Sequence, residues 1–400
     1  MPRRPPLAVR LLNRASRAAS ALGVAPPITP RALRAAAERR TGLSKWHGPT
    51  DDPTTFDTAL TTLCASVDAA PALNGLGRLA LHMHLLRVLS TRLLRVHQPV
   101  VDQPLTGPVL VVVGLPRSGT TFLHRLLAHA PDTRSLALWE VQHPIAPRRG
   151  PDRRRAAAQR QLDVLHKLSP ELGHKHATAV DAPEECFFLL DDSLVTPAFP
   201  LLYPLEPYRT WRHTASVQAA YRAYRSHLVR FQAAAPGRRL VLKAPGHAQH
   251  LAAIAEAIPE ARFIHTHRAP EATVPSRASL VASLHGRFTD APDPHAIGRA
   301  CLDDAVQLLK GAKRGRAALS THRLFDVPYD ALLADPTRVV AAIHAWAHLP
   351  ADPHIARALA RETRSAPPHR YTAADFGLTA EGIRAACEPH LPVGGVSSLR

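Results

Sequence analysis

The chain predicts an α/β fold of three layers, α/β/α, around a central parallel sheet, with a helical region before it and a helical tail after it. Three observations carry this expectation. Val109-Leu110-Val111-Val112-Val113 is an apolar, β-branched run without alternation, as in a parallel strand buried on both faces. Shorter runs near 240–243, 262–266 and 323–327 are separated by stretches of helical periodicity. Gly114 and Gly119 bracket the turn after the first run, and a helix pattern begins near Thr120.

The elements follow in order. Thr29-Pro30 starts a helix over Arg31 to Arg40, and Pro71 precedes a leucine-rich helix from about Leu73 to Val96, so residues 1–105 read as helical. Leu7 to Leu22 is basic and carries Leu11, Leu12 and Leu22; it reads as a packed N-terminal helix, with weak contact to an acidic membrane surface as the alternative. The α/β core spans 106–350. Between its first two strands lies a helical insertion, about 140–235, with helices over 152–168 and 216–233. Asp181-Ala182-Pro183-Glu184-Glu185-Cys186 reads as a helix start, with Glu184 or Glu185 facing a pocket as the lesser reading. In the tail, 351–400, Tyr371 to Leu378 introduces a final helix.

Composition narrows the function. A chain of 400 residues, 46% apolar, can fill a large core. The formal charge of +18 is mostly arginine and suits a polyanionic ligand. Nucleic acid is disfavoured, because the aromatic content is 5% and no reader motif accompanies the charge. The four cysteines have no metal-ligand spacing, and neither a leader nor a membrane-spanning run is apparent. A cytoplasmic protein without a metal is expected, its oligomeric state undefined by the sequence.

The turn after the first strand reads Gly114-Leu115-Pro116-Arg117-Ser118-Gly119-Thr120-Thr121. Glycines let such a loop curl around an anion, and the following helix aims free N–H groups and its positive end at it. The fold is therefore expected to be P-loop-containing, with one departure: Thr120 stands where G-x-x-x-x-G-K-[ST] has lysine. A Mg-ATP site uses that lysine and an acidic strand end. Here the runs 239–243 and 262–268 end in Lys243 and Arg268. A phosphosulfate carries less charge, and Arg117, the loop N–H groups and the hydroxyls of Ser118, Thr120 and Thr121 could hold it without metal.

Residues 114–128, GLPRSGTTFLHRLLA, resemble the 5′-phosphosulfate loop of sulfotransferases that use 3′-phosphoadenosine 5′-phosphosulfate, closest in motif to the protein-tyrosine and carbohydrate types. A second motif has the family's spacing: Arg268 closes the run 262–268, and Ser276 follows eight residues later. The resemblance implies that this pair grips the donor's 3′-phosphate, which ATP lacks. It also implies that Lys243 lies near the bridging oxygen and that Tyr329, in Y-D-A-L-L-A-D-P, lies near the donor.

Sulfuryl transfer needs a base for the acceptor hydroxyl and positive charge on the moving group. Two residues compete for the base. Glu140 follows the loop helix much as a catalytic glutamate does in protein-tyrosine sulfotransferases, two residues farther on. His247 lies beyond Lys243, although Pro245 fills the slot of the cytosolic enzymes' histidine. Lys243 and Arg117 would supply charge. The aromatic residues of the insertion, Phe187, Phe188, Phe199, Tyr203, Tyr208, Trp211, Tyr221 and Tyr224, are the expected wall for a sugar, phenol, lipid or natural-product alcohol. A kinase using Mg-ATP and a non-catalytic nucleotide- or membrane-binding protein on the same fold are the alternatives.

Overall fold

In the computed structural model, the described residues are 26–69, 73–147, 150–168, 179–290, 292–362 and 371–392. The Leu7 to Leu22 segment lies outside them. Three helices come first, α1 (Pro30–Thr41), α2 (Pro53–Ala69) and α3 (Gly75–His97). The Thr29 hydroxyl caps α1, and Asn74 caps α3 through Gly77 N.

The α/β core contains β1 (Val109–Gly114), α4 (Thr120–Leu127), β2 (Thr133–Arg134), α5 (Leu138–Gln142) and α6 (Arg154–Leu168). A 3₁₀ helix at Cys186–Ser193, α7 (Ala198–Leu202), α8 (Glu206–Arg212) and α9 (Gln218–Ala233) complete the insertion. Then come β3 (Arg239–Lys243), a 3₁₀ turn at Pro245–His250, α10 (Leu251–Ala257), β4 (Ala261–His267), α11 (Pro270–His285), α12 (Pro294–Ala318), β5 (Leu324–Pro328), α13 (Tyr329–Ala334) and α14 (Pro336–Trp346). The tail carries α15 (Ile355–Glu362) and α16 (Ala380–Cys387).

The sheet is parallel throughout, in the order β2-β3-β1-β4-β5. All six residues of β1 are buried, and the run lacks alternation because it feeds two cores. Val109, Val111 and Val113 join one face with α9 to α12. Leu110 and Val112 join the other with α4 and α14. Strand β2, only two residues long, is missing from the sequence expectation. It pairs with β3 from Thr133 and Arg134, too short a stretch to show a period.

The N-terminal helices share a core with the insertion, where Leu81, Leu85 and Phe56 pack with Phe199, Tyr203 and Tyr208. A buried ionic network reinforces this seam. Arg95 donates to Asp192 (2.6 Å) and to Asp51 (2.7 Å), and burial of Asp192 is overcome by Arg95 and His227, which hold its carboxyl well below the usual range.

Candidate active site

Register sets the site. Val112 stands beside Lys243 in β3, and Gly114 beside Thr266 in β4, so the loop after β1 emerges between the ends of two neighbours. This is the switch point of the sheet, where a parallel fold opens a crevice.

The loop has glycine where a side chain cannot be placed. Gly114 has φ +145°, and a Cβ there would lie 2.5 Å from Thr266 O. Gly119 has φ +87°, and its missing Cβ leaves room for the Tyr329 ring, which would otherwise be 3.0 Å away. Arg117 also adopts a left-handed φ of 74°. Such backbone strain in a non-glycine residue persists where its surroundings fix it. Here Arg117 Nε donates to Ser276 Oγ (3.1 Å), and its carbonyl accepts from Arg268 Nη1 (2.9 Å). The Arg268 guanidinium lies over Tyr329, 4.1 Å from the ring centroid. Burial, together with neighbouring Arg268 and Arg277, pushes the Arg117 guanidinium below its ordinary value. Three like charges gathered around a glycine cradle favour a polyanion.

Ser118 is a correction to the expected hydroxyl set. It is fully buried; its Oγ donates to Leu115 O (2.6 Å) and lies 2.6 Å from Thr266 Oγ1, so it braces the loop instead of facing a ligand. Gly119, Thr120 and Thr121 do line the cleft, as do Arg117, Arg268 and Tyr329. Buried Ser276 is reached through Arg117.

The cleft encloses about 870 Å³. Beyond the loop its walls are mainly apolar, with Leu76 and Met83 from α3, Leu162 from α6, Leu284 in α11 and Phe288 just after it, and they include Arg87, Arg160, Gln161 and Arg287. Phe187, Phe188 and Tyr203 line it. Phe199 and Tyr208 are core instead, and Tyr221 faces an adjoining, smaller cavity of about 100 Å³, which shares Pro116, Glu185, Phe187 and Pro245 with the cleft. The contribution of α3 was not anticipated, because its apolar stripe reads in sequence as ordinary helix packing.

The two candidate bases lie elsewhere. Glu140 caps its own helix: Oε2 accepts from Ala137 N (2.9 Å), and Oε1 accepts from Arg134 (2.6 Å). It is absent from the cleft lining. His247 is enclosed, with Tyr221 Oη 3.0 Å from Nδ1 and Cys186 Sγ 3.5 Å from Nε2. Burial lowers its pKa to about 3, and it borders the small cavity. His247 shares the small cavity with Leu115 and Pro116 of the loop, whereas Glu140 lines neither cavity.

Two carboxylates do line the cleft, Glu184 and Glu185, and Glu185 is the one that pairs with Lys243. The segment expected to start a helix runs extended instead: Pro183 bridges Ala137, Glu184 N donates to Leu136 O (3.0 Å), and the 3₁₀ helix begins at Cys186. Asp181, the presumed cap, pairs with exposed Arg155. This course brings Glu185 to the cleft wall, where Oε1 accepts from Lys243 Nζ at 2.8 Å. Lys243 is 1% exposed. The pairing joins residues 58 positions apart, so no local pattern announces it.

A parallel sheet with a glycine loop at its switch point, flanked by an arginine cluster, defines an α/β protein of the P-loop type of fold. The sequence profile of the sulfotransferase family matches residues 108–353, and the chain belongs to that family. It is 26% identical over 258 residues to the omega-hydroxy-beta-dihydromenaquinone-9 sulfotransferases Stf3 of Mycobacterium bovis and Mycobacterium tuberculosis. The match covers 59% of this chain and 62% of theirs, less than two thirds of the length of those relatives. Among solved structures it resembles sulfotransferase STF1 from Mycobacterium tuberculosis H37Rv, at TM-score 0.74 and 26% identity, covering 91% of this chain and 99% of that one. STF9 from Mycobacterium avium superposes at TM-score 0.77 and 25% identity, covering 92% and 97%.

Proposed function

We propose that the protein transfers a sulfuryl group from 3′-phosphoadenosine 5′-phosphosulfate to the hydroxyl of an apolar, lipid-like acceptor. One observation carries the reading: a single cleft is lined both by the glycine loop with its arginines and by many apolar side chains from α3, α6 and α11. The Stf3 relatives, named for a hydroxylated menaquinone, agree with an apolar acceptor. Four free cysteines, all buried, accord with a reducing cytoplasm.

In this reading the loop N–H groups, Thr120 and Thr121 hold the 5′-phosphosulfate, and Arg268, with Ser276 beside Arg117, takes the 3′-phosphate. Tyr329 supports the Arg268 fork. Glu185 is the base. It receives the acceptor proton as the acceptor oxygen bonds to sulfur; the bond from sulfur to the bridging oxygen breaks, and its electron pair stays on the departing 5′-phosphate. Lys243, buried and paired with Glu185, positions that carboxylate and adds positive charge to the site. The experiment is transfer of labelled sulfate from the donor to primary alcohols of increasing chain length. The reading expects kcat/KM to rise with length, by about a factor of three or four per buried methylene until the cleft is filled. A preference for sugars or short phenols would refute the apolar acceptor.

A further inference from the structure

We propose that the mouth of the cleft docks on the surface of an anionic lipid bilayer. Five large hydrophobic side chains are exposed among the described residues, and four of them line this one cleft: Leu79 (42% exposed), Met83 (51%), Val164 (55%) and Leu333 (55%). They come from α3, α6 and α13, which are distant in sequence, so no single helix stripe accounts for their meeting. Leu79 and Met83 are one turn apart on α3, and their side chains lie on the same face.

The charge around these side chains is net positive: Arg87, Arg117, Arg160, Arg268, Arg277 and Arg287 line the cleft against Glu184 and Glu185, with exposed Asp163 and Asp330 as the acidic neighbours of Val164 and Leu333. Exposed Arg160 lies one turn before Val164 on α6 and lines the cleft with it, and exposed Lys167 stands in the last turn of that helix. Helix α3 contains no acidic residue, and the whole chain carries +18. Apolar side chains that enter the headgroup boundary beside cations that meet anionic lipid are the two components of peripheral membrane binding. No helix among the described residues is long and apolar enough to cross a membrane. A second copy of the chain seated here would cover the opening, whereas a bilayer would present an apolar molecule to it. The inference rests on the apolar-acceptor reading for its purpose, but the binding it predicts requires neither donor nor acceptor.

The test is co-sedimentation of the full chain with phosphatidylglycerol–phosphatidylcholine vesicles and with phosphatidylcholine vesicles. The wild type should bind the anionic vesicles, and Met83→Asp combined with Val164→Asp should weaken that binding at least about tenfold. Arg160→Glu should weaken it by about fivefold or more, with the loss greatest at low salt. Binding of adenosine 3′,5′-bisphosphate by the same variants reports that the fold is intact. Equal vesicle binding by wild type and variants would overturn the proposal, as would failure of the wild type to bind anionic vesicles. A dimer in sedimentation velocity that the same substitutions dissociate would assign the mouth to a second copy and also overturn it. Loss of bisphosphate binding by the wild type would count against the donor reading alone.

Discussion

Arg268 donates to the Arg117 carbonyl and stacks on Tyr329, so its removal takes charge from the loop and leaves the strand ends in place. Arg268→Ala should weaken adenosine 3′,5′-bisphosphate by about 10- to 100-fold and adenosine 5′-phosphate much less, as measured by calorimetry. Equal losses would remove the 3′-phosphate from this residue. Glu185→Gln keeps the shape and a hydrogen bond to Lys243 but cannot take a proton; kcat should fall about 10²- to 10⁴-fold with donor affinity kept. Glu140→Gln offers the contrast. It weakens a helix cap and an ion pair with Arg134, so a melting scan should show a lower Tm with turnover retained.

At the scale of elements, helix α12 depends on glycine for its close approaches. A Cβ at Gly311 would lie 2.4 Å from Gln249 O, in the turn that carries His247 and follows β3. Gly311→Ala should therefore cost about 1–3 kcal/mol in denaturant unfolding, despite alanine's better helix propensity. Gly246→Ala, with nothing within 4 Å, should be close to neutral. Such contacts explain what the sequence disclosed and what it did not. The strand at 109–114, the loop and the helices α1, α3, α6 and α9 follow from local signals, namely an unbroken apolar run, glycine spacing, caps and periodicity. The Glu185–Lys243 pair, the bracing of Ser118 by Thr266 and the cleft wall from α3 depend on contacts between distant segments. Glu140 was legible as a carboxylate after the loop, but the Arg134 that occupies it comes from a strand too short to detect.

For the molecule as a whole, buried and half-buried histidines set the response to acid. Burial lowers His124, His143 and His250 to about 3, as it does His247, and His285 to about 4. A histidine whose folded pKa is depressed stays neutral in the native state while the unfolded chain takes up the proton. Stability is therefore full above the unfolded pKa of about 6.5 and is lost as pH falls from there toward 3, by up to about 1.4 kcal/mol per pH unit for each histidine. Half-buried Asp304, whose His213 and Arg212 neighbours outweigh desolvation and hold it down to about 2, adds a loss of the same sign below about pH 4. Tm should fall progressively from pH 7 to pH 5, and His124→Gln should flatten that decline. A Tm that is constant or rises over this interval would contradict the burial of neutral histidines.

The central claim is that the arginine-ringed glycine loop receives a 3′-phosphorylated nucleotide sulfate. Calorimetric titration of the purified protein with adenosine 3′,5′-bisphosphate in chelator, against ATP with Mg²⁺, tests it most directly. The account predicts tight binding of the bisphosphate without metal, at least about tenfold stronger than Mg-ATP, because ATP offers no 3′-phosphate to Arg268. Stronger, Mg²⁺-dependent binding of ATP would contradict it and assign the loop to phosphoryl chemistry.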